Sequence, residues 1–121
     1  MQQSELNGIL LMDKPQDFTS FDVVAKLRGI LHTRRLGHGG TLDPMATGVL
    51  PVFVGGATKA ADFAAAQDKE YVACFTLGYC TDTQDVTGET LQISERYAAR
   101  YAVERAVRSM TGPQQQVPPM Y

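Results

Sequence analysis

Residues 37–56 read "GHGGTLDPMATGVLPVFVGG", and the fold turns on how this stretch is read. His38 sits among Gly37, Gly39 and Gly40, Asp43 stands directly before Pro44, and "GVLPVFVGG" reads as a strand. Asp43 therefore lies at the junction between a conformationally permissive loop and a rigid element, a setting in which chemistry is commonly carried. Pro51 has no N–H to give to a ladder, so the strand is expected to be an edge or to hold a bulge.

Working outward, "GILLMDKP" is a short apolar run closed by a proline, which predicts a first strand ending near Asp13. "TSFD" then opens a helix, with Thr19 and Asp22 at the spacing of a capping box. Val23, Val24, Leu27, Ile30 and Leu31 recur at helical spacing and give it one inward face. The helix is predicted to end near His32, leaving "TRRLGHGG" as a loop. Beyond the central strand, "ATKAADFAAAQD" predicts a short alanine-rich helix capped by Thr58.

"KEYVACFTLG" is the clearest strand. Tyr71, Ala73, Phe75 and Leu77 share one face and Val72, Cys74 and Thr76 the other, so both faces are expected to be covered. A polar loop, "YCTDTQDVTGE", and a brief strand, "TLQIS", follow. Residues 95–111 predict a last helix with an apolar stripe of Ala99, Ala102, Val103, Ala106, Val107 and Met110, stopped by Gly112 and Pro113. Alternating strands and helices place the chain in the mixed α/β or α+β class.

The bulk properties agree. A chain of 121 residues is expected to form one domain, and 44% hydrophobic with 20% charged residues describes an ordinary globular protein. No apolar run is long enough to span a bilayer and the N-terminus lacks a signal-peptide pattern, so the default location is cytoplasmic, with no membrane partner. Cys74 and Cys80 are too few for a disulfide framework or a zinc site and are expected to be buried or half-buried thiols. His32 and His38 are the only histidines, which leaves few ligands for a metal.

The net charge is −2, but it is unevenly spread: residues 23–42 contain no acid, while Lys26, Arg28, Arg34 and Arg35 fall there with both histidines. The acids gather around Asp82, Asp85, Glu89 and Glu95. A local basic segment can meet phosphates even in a neutral protein; its plainer reading is a solvated helix face followed by a loop.

On spacing alone, three readings of residues 37–43 compete. Glycines could expose backbone N–H groups to a phosphate, although the pattern is neither a Walker A loop nor a dinucleotide fingerprint. An acid hydrolase would need a second carboxylate opposite Asp43, for which Asp13, Asp82 and Asp85 are candidates. The third is an Asp-Pro turn in which the aspartate side chain bonds its own downstream backbone and has no further role.

Four ordered blocks bear on the choice: "GILLMDKPQDFTSFDVV", "GHGGTLDPMATGVLPVFVGGATK", "KEYVACFTLGYCTDTQDVTGE" and "QVPPMY". Together they resemble the TruB family of tRNA pseudouridine synthases, which isomerise uridine 55 in the T-loop of tRNA. The resemblance runs from Gly8 to Tyr121 and implies the N-terminal part of the pseudouridine synthase fold, a mixed β-sheet flanked by helices. It implies Asp43 as the catalytic carboxylate, Tyr71 lying against the target base, and His38 holding the loop's bases as the uridine leaves its stack. A stacked nucleotide hides its glycosidic bond, so flipping is required. Lys14, Arg34 and Arg35 are the candidates for RNA backbone contacts. No metal and no cofactor are implied, and the implied partner is the T-arm stem-loop of tRNA.

Two departures qualify the resemblance. Asp17 occupies a position where the family usually has glycine, which suggests a turn with positive φ that aspartate tolerates better than most residues. The family also continues beyond "QVPPMY" into the second half of its catalytic domain and a C-terminal RNA-binding domain. Residues 1–121 are therefore expected to be an N-terminal portion, incomplete as an enzyme, whose uncovered faces favour self-association. The alternative is a non-catalytic module that grips or refolds the T-arm.

Overall fold

In the computed structural model, which describes residues 6–117, the chain divides into two units, Met1–Glu70 and Tyr71–Tyr121. Helices and antiparallel sheets make it a mixed α+β protein. Residues 118–121, the end of the "QVPPMY" block, lie outside the described residues.

The first unit is built on β1 (Gly8–Lys14), α1 (Ser20–Leu31), β2 (Leu36–His38) and β3 (Gly48–Val54). The strands form an antiparallel sheet in the order β1-β3-β2. Period-2 alternation sorts the side chains: Leu10 and Met12 stand opposite Val52 and Leu50 on the face that meets α1. With Val23, Val24 and Leu27 of α1, and with Leu36 and Val54, these residues form the core. Ile9, Leu11 and Val49 point to the other face and are exposed.

The N-terminus of α1 follows its sequence signal. The Asp22 amide donates to Thr19 Oγ1 at 3.0 Å and the Thr19 amide donates to Asp22 Oδ2 at 2.8 Å, the reciprocal capping box. The helix closes at His32 in a left-handed conformation (φ 50).

Three expectations for this unit are corrected. Residues 36–38 are a strand, not loop. Pro51 is neither at an edge nor in a bulge but in the central strand. An antiparallel residue turns its N–H and C=O toward the same neighbour. Pro51 turns them toward β2, whose last rung is His38 opposite Val52, and its carbonyl accepts from the Gly39 amide at 2.9 Å. Its missing donor falls where the ladder stops. After β3 comes a 3₁₀ segment, Gly55–Ala60, with α2 only at Ala61–Ala65. Thr58 does not cap α2, because its hydroxyl donates to the Gly55 carbonyl at 2.8 Å.

In the second unit, β4 (Tyr79–Thr81) and β5 (Thr90–Ile93) pair antiparallel. Asp85 organises the loop between them: Oδ1 accepts from the Thr87 amide (2.8 Å) and from the hydroxyls of Thr87 (2.6 Å) and Thr83 (2.9 Å). These bonds, the Thr87 hydroxyl foremost, hold the Asp85 carboxyl below its ordinary range. α3 (Arg100–Ser109) starts later than predicted, with no side-chain cap at Ala99, and Val107 and Met110 of its apolar stripe are exposed.

The clearest predicted strand does not form. Among the described residues nothing pairs with residues 70–77, and Tyr71 is 61% exposed. Alternation shows which side chains would share a face, but a strand exists only through a ladder, and none is offered here. Cys74 and Cys80 are both exposed, against the expectation of burial.

Hydrogen–deuterium exchange should therefore find the amides of residues 70–77 unprotected while those of Leu50, Val52 and Val54 exchange slowest. Protection of both sets alike would contradict this architecture. Acid should loosen the cap of α1. Hydrogen bonds from Thr19, with the charge of Lys14 adding, hold the Asp22 carboxyl below its ordinary value. A depressed carboxyl stabilises the fold above its unfolded pKa and loses that contribution as pH falls through the folded one. The Thr19 amide resonance should shift as pH drops below about 4, before the core signals respond.

Candidate functional site

Asp43 opens a β-turn: the Ala46 amide donates to the Asp43 carbonyl at 3.0 Å, with Pro44 in the second position, where its fixed φ suits the turn. The residues on either side are held by the scaffold. Ser20, the first residue of α1 and only 2% exposed, accepts from the Leu42 amide at 2.9 Å and donates to the Leu42 carbonyl at 3.3 Å. The Pro44 carbonyl accepts from the Asp17 amide at 2.8 Å and from Lys14 Nζ at 3.2 Å. Between these anchors the Asp43 side chain is exposed and makes no hydrogen bond or ion pair among the described residues.

Lys14 corrects an expectation. Expected to contact an RNA backbone, it is instead 0% exposed, and its ammonium also donates to the carbonyls of Phe18 (2.5 Å) and Pro15 (2.9 Å). All three ammonium donors are thus engaged, so a phosphate has nothing to bind. Its role is to position: it ties the end of β1 and the approach to α1 to the Asp43–Pro44 turn. Asp17, where the family's glycine is usual, has φ 65, as the sequence suggested. That left-handed conformation turns its amide to Pro44.

At the other end of the loop, His38 closes β2 with Nδ1 at 2.7 Å from the Gly40 carbonyl. A carbonyl only accepts, so Nδ1 carries the hydrogen, leaving Nε2 available. Gly39 is obligatory: a Cβ there would lie 2.7 Å from Phe53 Cε2 and 3.0 Å from Ala64 Cβ. The loop from His38 to Asp43 is therefore fixed at one end by the sheet and at the other by α1.

Arg34 and Arg35 are exposed. Arg35 Nε donates to Thr58 Oγ1 at 3.3 Å, while the Arg34 side chain has no partner among the described residues. The first unit thus holds Lys14, Arg34, Arg35, His38 and Asp43, whereas Tyr71 belongs to the second, in the unpaired segment. Of the candidate second carboxylates, Asp85 and Asp82 are used within their own loop, Asp82 accepting from the Glu89 amide at 2.8 Å. Sequence reasoning missed Ser20, which follows the N-cap and reads there as part of the helix start alone. Among the described residues, no group of three or more His, Cys, Asp or Glu is arranged to hold a metal, and no helix is long and apolar enough to cross a membrane.

Replacing Lys14 by methionine should destabilise the fold by about 1–3 kcal/mol, since buried carbonyls lose their donor. Asp43→Asn should change stability by no more than about 0.5 kcal/mol, because that side chain contacts nothing that it must satisfy. Urea denaturation of the two variants measures both, and equal losses would refute the division of roles.

Residues 28–121 match the model of the N-terminal domain of TruB family pseudouridylate synthases. The chain is 46% identical over 119 residues to tRNA pseudouridine synthase B of Lactiplantibacillus plantarum, covering 96% of this chain and 38% of that protein. It is 45% identical over 118 residues to the Bacillus subtilis protein of that name, with coverages of 96% and 38%. Against the one from Lactococcus lactis it is 47% identical over 118 residues, with coverages of 96% and 36%. The chain therefore spans about two fifths of the length of the curated relatives it matches. A solved H/ACA RNP bound to a substrate RNA containing 2′-deoxyuridine is 46% identical where it aligns, over 46% of this chain and 18% of that one, but its TM-score of 0.45 is too low to add to the sequence likeness. With the family's model matching well over half of this chain, the chain belongs to the TruB family of pseudouridylate synthases.

Proposed function

We propose that this chain is the N-terminal portion of the catalytic domain of a tRNA pseudouridine synthase, acting in the cytoplasm on uridine 55 of the T-loop, with Asp43 as its catalytic carboxylate. The observation that carries the proposal is the Asp43 turn: a solvent-facing carboxylate without a hydrogen bond, on a residue whose backbone carbonyl closes the turn and whose two neighbours are clamped. Such a group is placed without being occupied, as a reacting side chain must be.

The isomerisation breaks the N1–C1′ bond and joins C5 to C1′, after which C5 gives up its proton and N1 gains one. Three roles suit the carboxylate: attack at C1′, attack at C6, or removal of the 2′ proton. His38 is the candidate for holding the loop's bases once the uridine has flipped, since its ring is braced through Nδ1 and its Nε2 edge is free. Tyr71 is the candidate for stacking on the target base, and Arg34 and Arg35 for meeting backbone phosphates. On this reading the second half of the catalytic domain and a C-terminal RNA-binding domain lie beyond residues 1–121.

A second reading has its own support. Among the described residues Asp43 has no cationic partner, and an ionised catalytic carboxylate needs one against the cost of desolvation. By itself the chain would then be a T-arm binding or folding module, with the exposed Ile9, Leu11 and Val49 favouring self-association.

Tritium release from tRNA labelled at uridine C5 separates the two. Release that falls about 100-fold or more in Asp43→Ala establishes the synthase. Binding of the T-arm with no release from either protein makes this chain by itself a binding module, the family assignment standing.

A further inference from the structure

The end of α1 carries two residues that helix stability alone would not select. Gly29 lies in the last turns, yet nothing comes within 4 Å of where its Cβ would be, and glycine there is less stable than alanine. His32 closes the helix in a left-handed conformation that glycine adopts without strain. A bare backbone stands where a side chain would stabilise, and an imidazole where glycine would.

Both residues line one open concavity, together with Arg28, Thr33 and Arg34. No carboxylate lines it, and residues 23–42 contain none. Arg28 lies over the Phe21 ring at 5.5 Å and donates a long bond, 3.4 Å, to the Leu36 carbonyl. Its Nε is buried without a hydrogen-bond partner among the described residues. The side chains of His32 and Arg34 have no partner among the described residues. The helix macrodipole places about half a negative charge at this end, which two guanidinium groups outweigh.

We infer that this concavity at the C-terminal end of α1, outside the Asp43 turn, is a subsite for a backbone phosphate of the bound RNA. Arg28 supplies a fixed positive wall, and His32, Thr33 and Arg34 supply donors at its rim. Gly29 leaves room for the strand to come close. The inference rests on the reading that the chain's partner is RNA.

The test compares the whole chain with the His32→Asn/Arg34→Gln variant, asparagine being tolerant of the left-handed position. Affinity for a T-arm stem-loop RNA is measured across a salt series by fluorescence anisotropy, and amide shifts are followed by NMR. The variant is expected to bind about tenfold more weakly at low salt, with a salt slope smaller by about one, and RNA is expected to shift the amides of residues 28–34. An unchanged slope and affinity would overturn the inference. Shifts at residues 39–46 with silence at 28–34 would overturn it while leaving the proposed function intact. A saturable response of 28–34 to inorganic phosphate at matched ionic strength, with none to RNA, would reveal a free-anion site and overturn the assignment to RNA.

Discussion

The structure depends most on one desolvated charge. Lys14 brings an ammonium into the interior with no exposed surface and no carboxylate to meet it. Such burial is tolerable only when every donor finds an acceptor, and the three acceptors come from Pro15, Phe18 and Pro44. Two are local and the third is thirty residues away, so the requirement couples the approach to α1 with the Asp43 turn. Asp17 adds a second bond to the same Pro44 carbonyl, and Ser20 secures Leu42. The core can pack as it does only if the turn beside Asp43 is formed, and a misplaced turn would leave a buried cation unsatisfied.

Features governed by neighbours in the chain were legible in the sequence. The capping box of Thr19 and Asp22, the end of α1 at His32, the strands over Gly8–Lys14, Gly48–Val54 and Thr90–Ile93, and the positive φ of Asp17 all follow from local chemistry. Features that depend on distant partners were not. Leu36–His38 is too short to show a period and is a strand only because β3 has a free side. Residues 70–77 show the period clearly yet lack a ladder. Lys14 reads as a surface cation because nothing nearby announces the Pro44 carbonyl.

The candidate site divides along the same line. Asp43 and His38 stand out because glycines and a proline mark their loop. The residues that hold the loop, Ser20, Asp17 and Lys14, act through backbone groups more than twenty residues away, a relation that no local pattern encodes. The plainest reading, in which the aspartate side chain bonds its own downstream backbone, is not what forms: the turn is closed by the Asp43 carbonyl, and the candidate catalytic carboxylate is left unengaged among the described residues.

Pro51 has a consequence for folding fidelity. Its missing N–H faces β2 at the last rung of that short ladder. Sliding β2 two residues along toward the proline would keep every side chain on its proper face, the kind of slip that hydrophobic patterning alone does not prevent. It would also carry the missing donor into the interior of the ladder and strand a glycine carbonyl there. The proline thus serves as a register stop. It fixes the point at which the chain leaves the sheet, and with it the length of loop from His38 to Asp43.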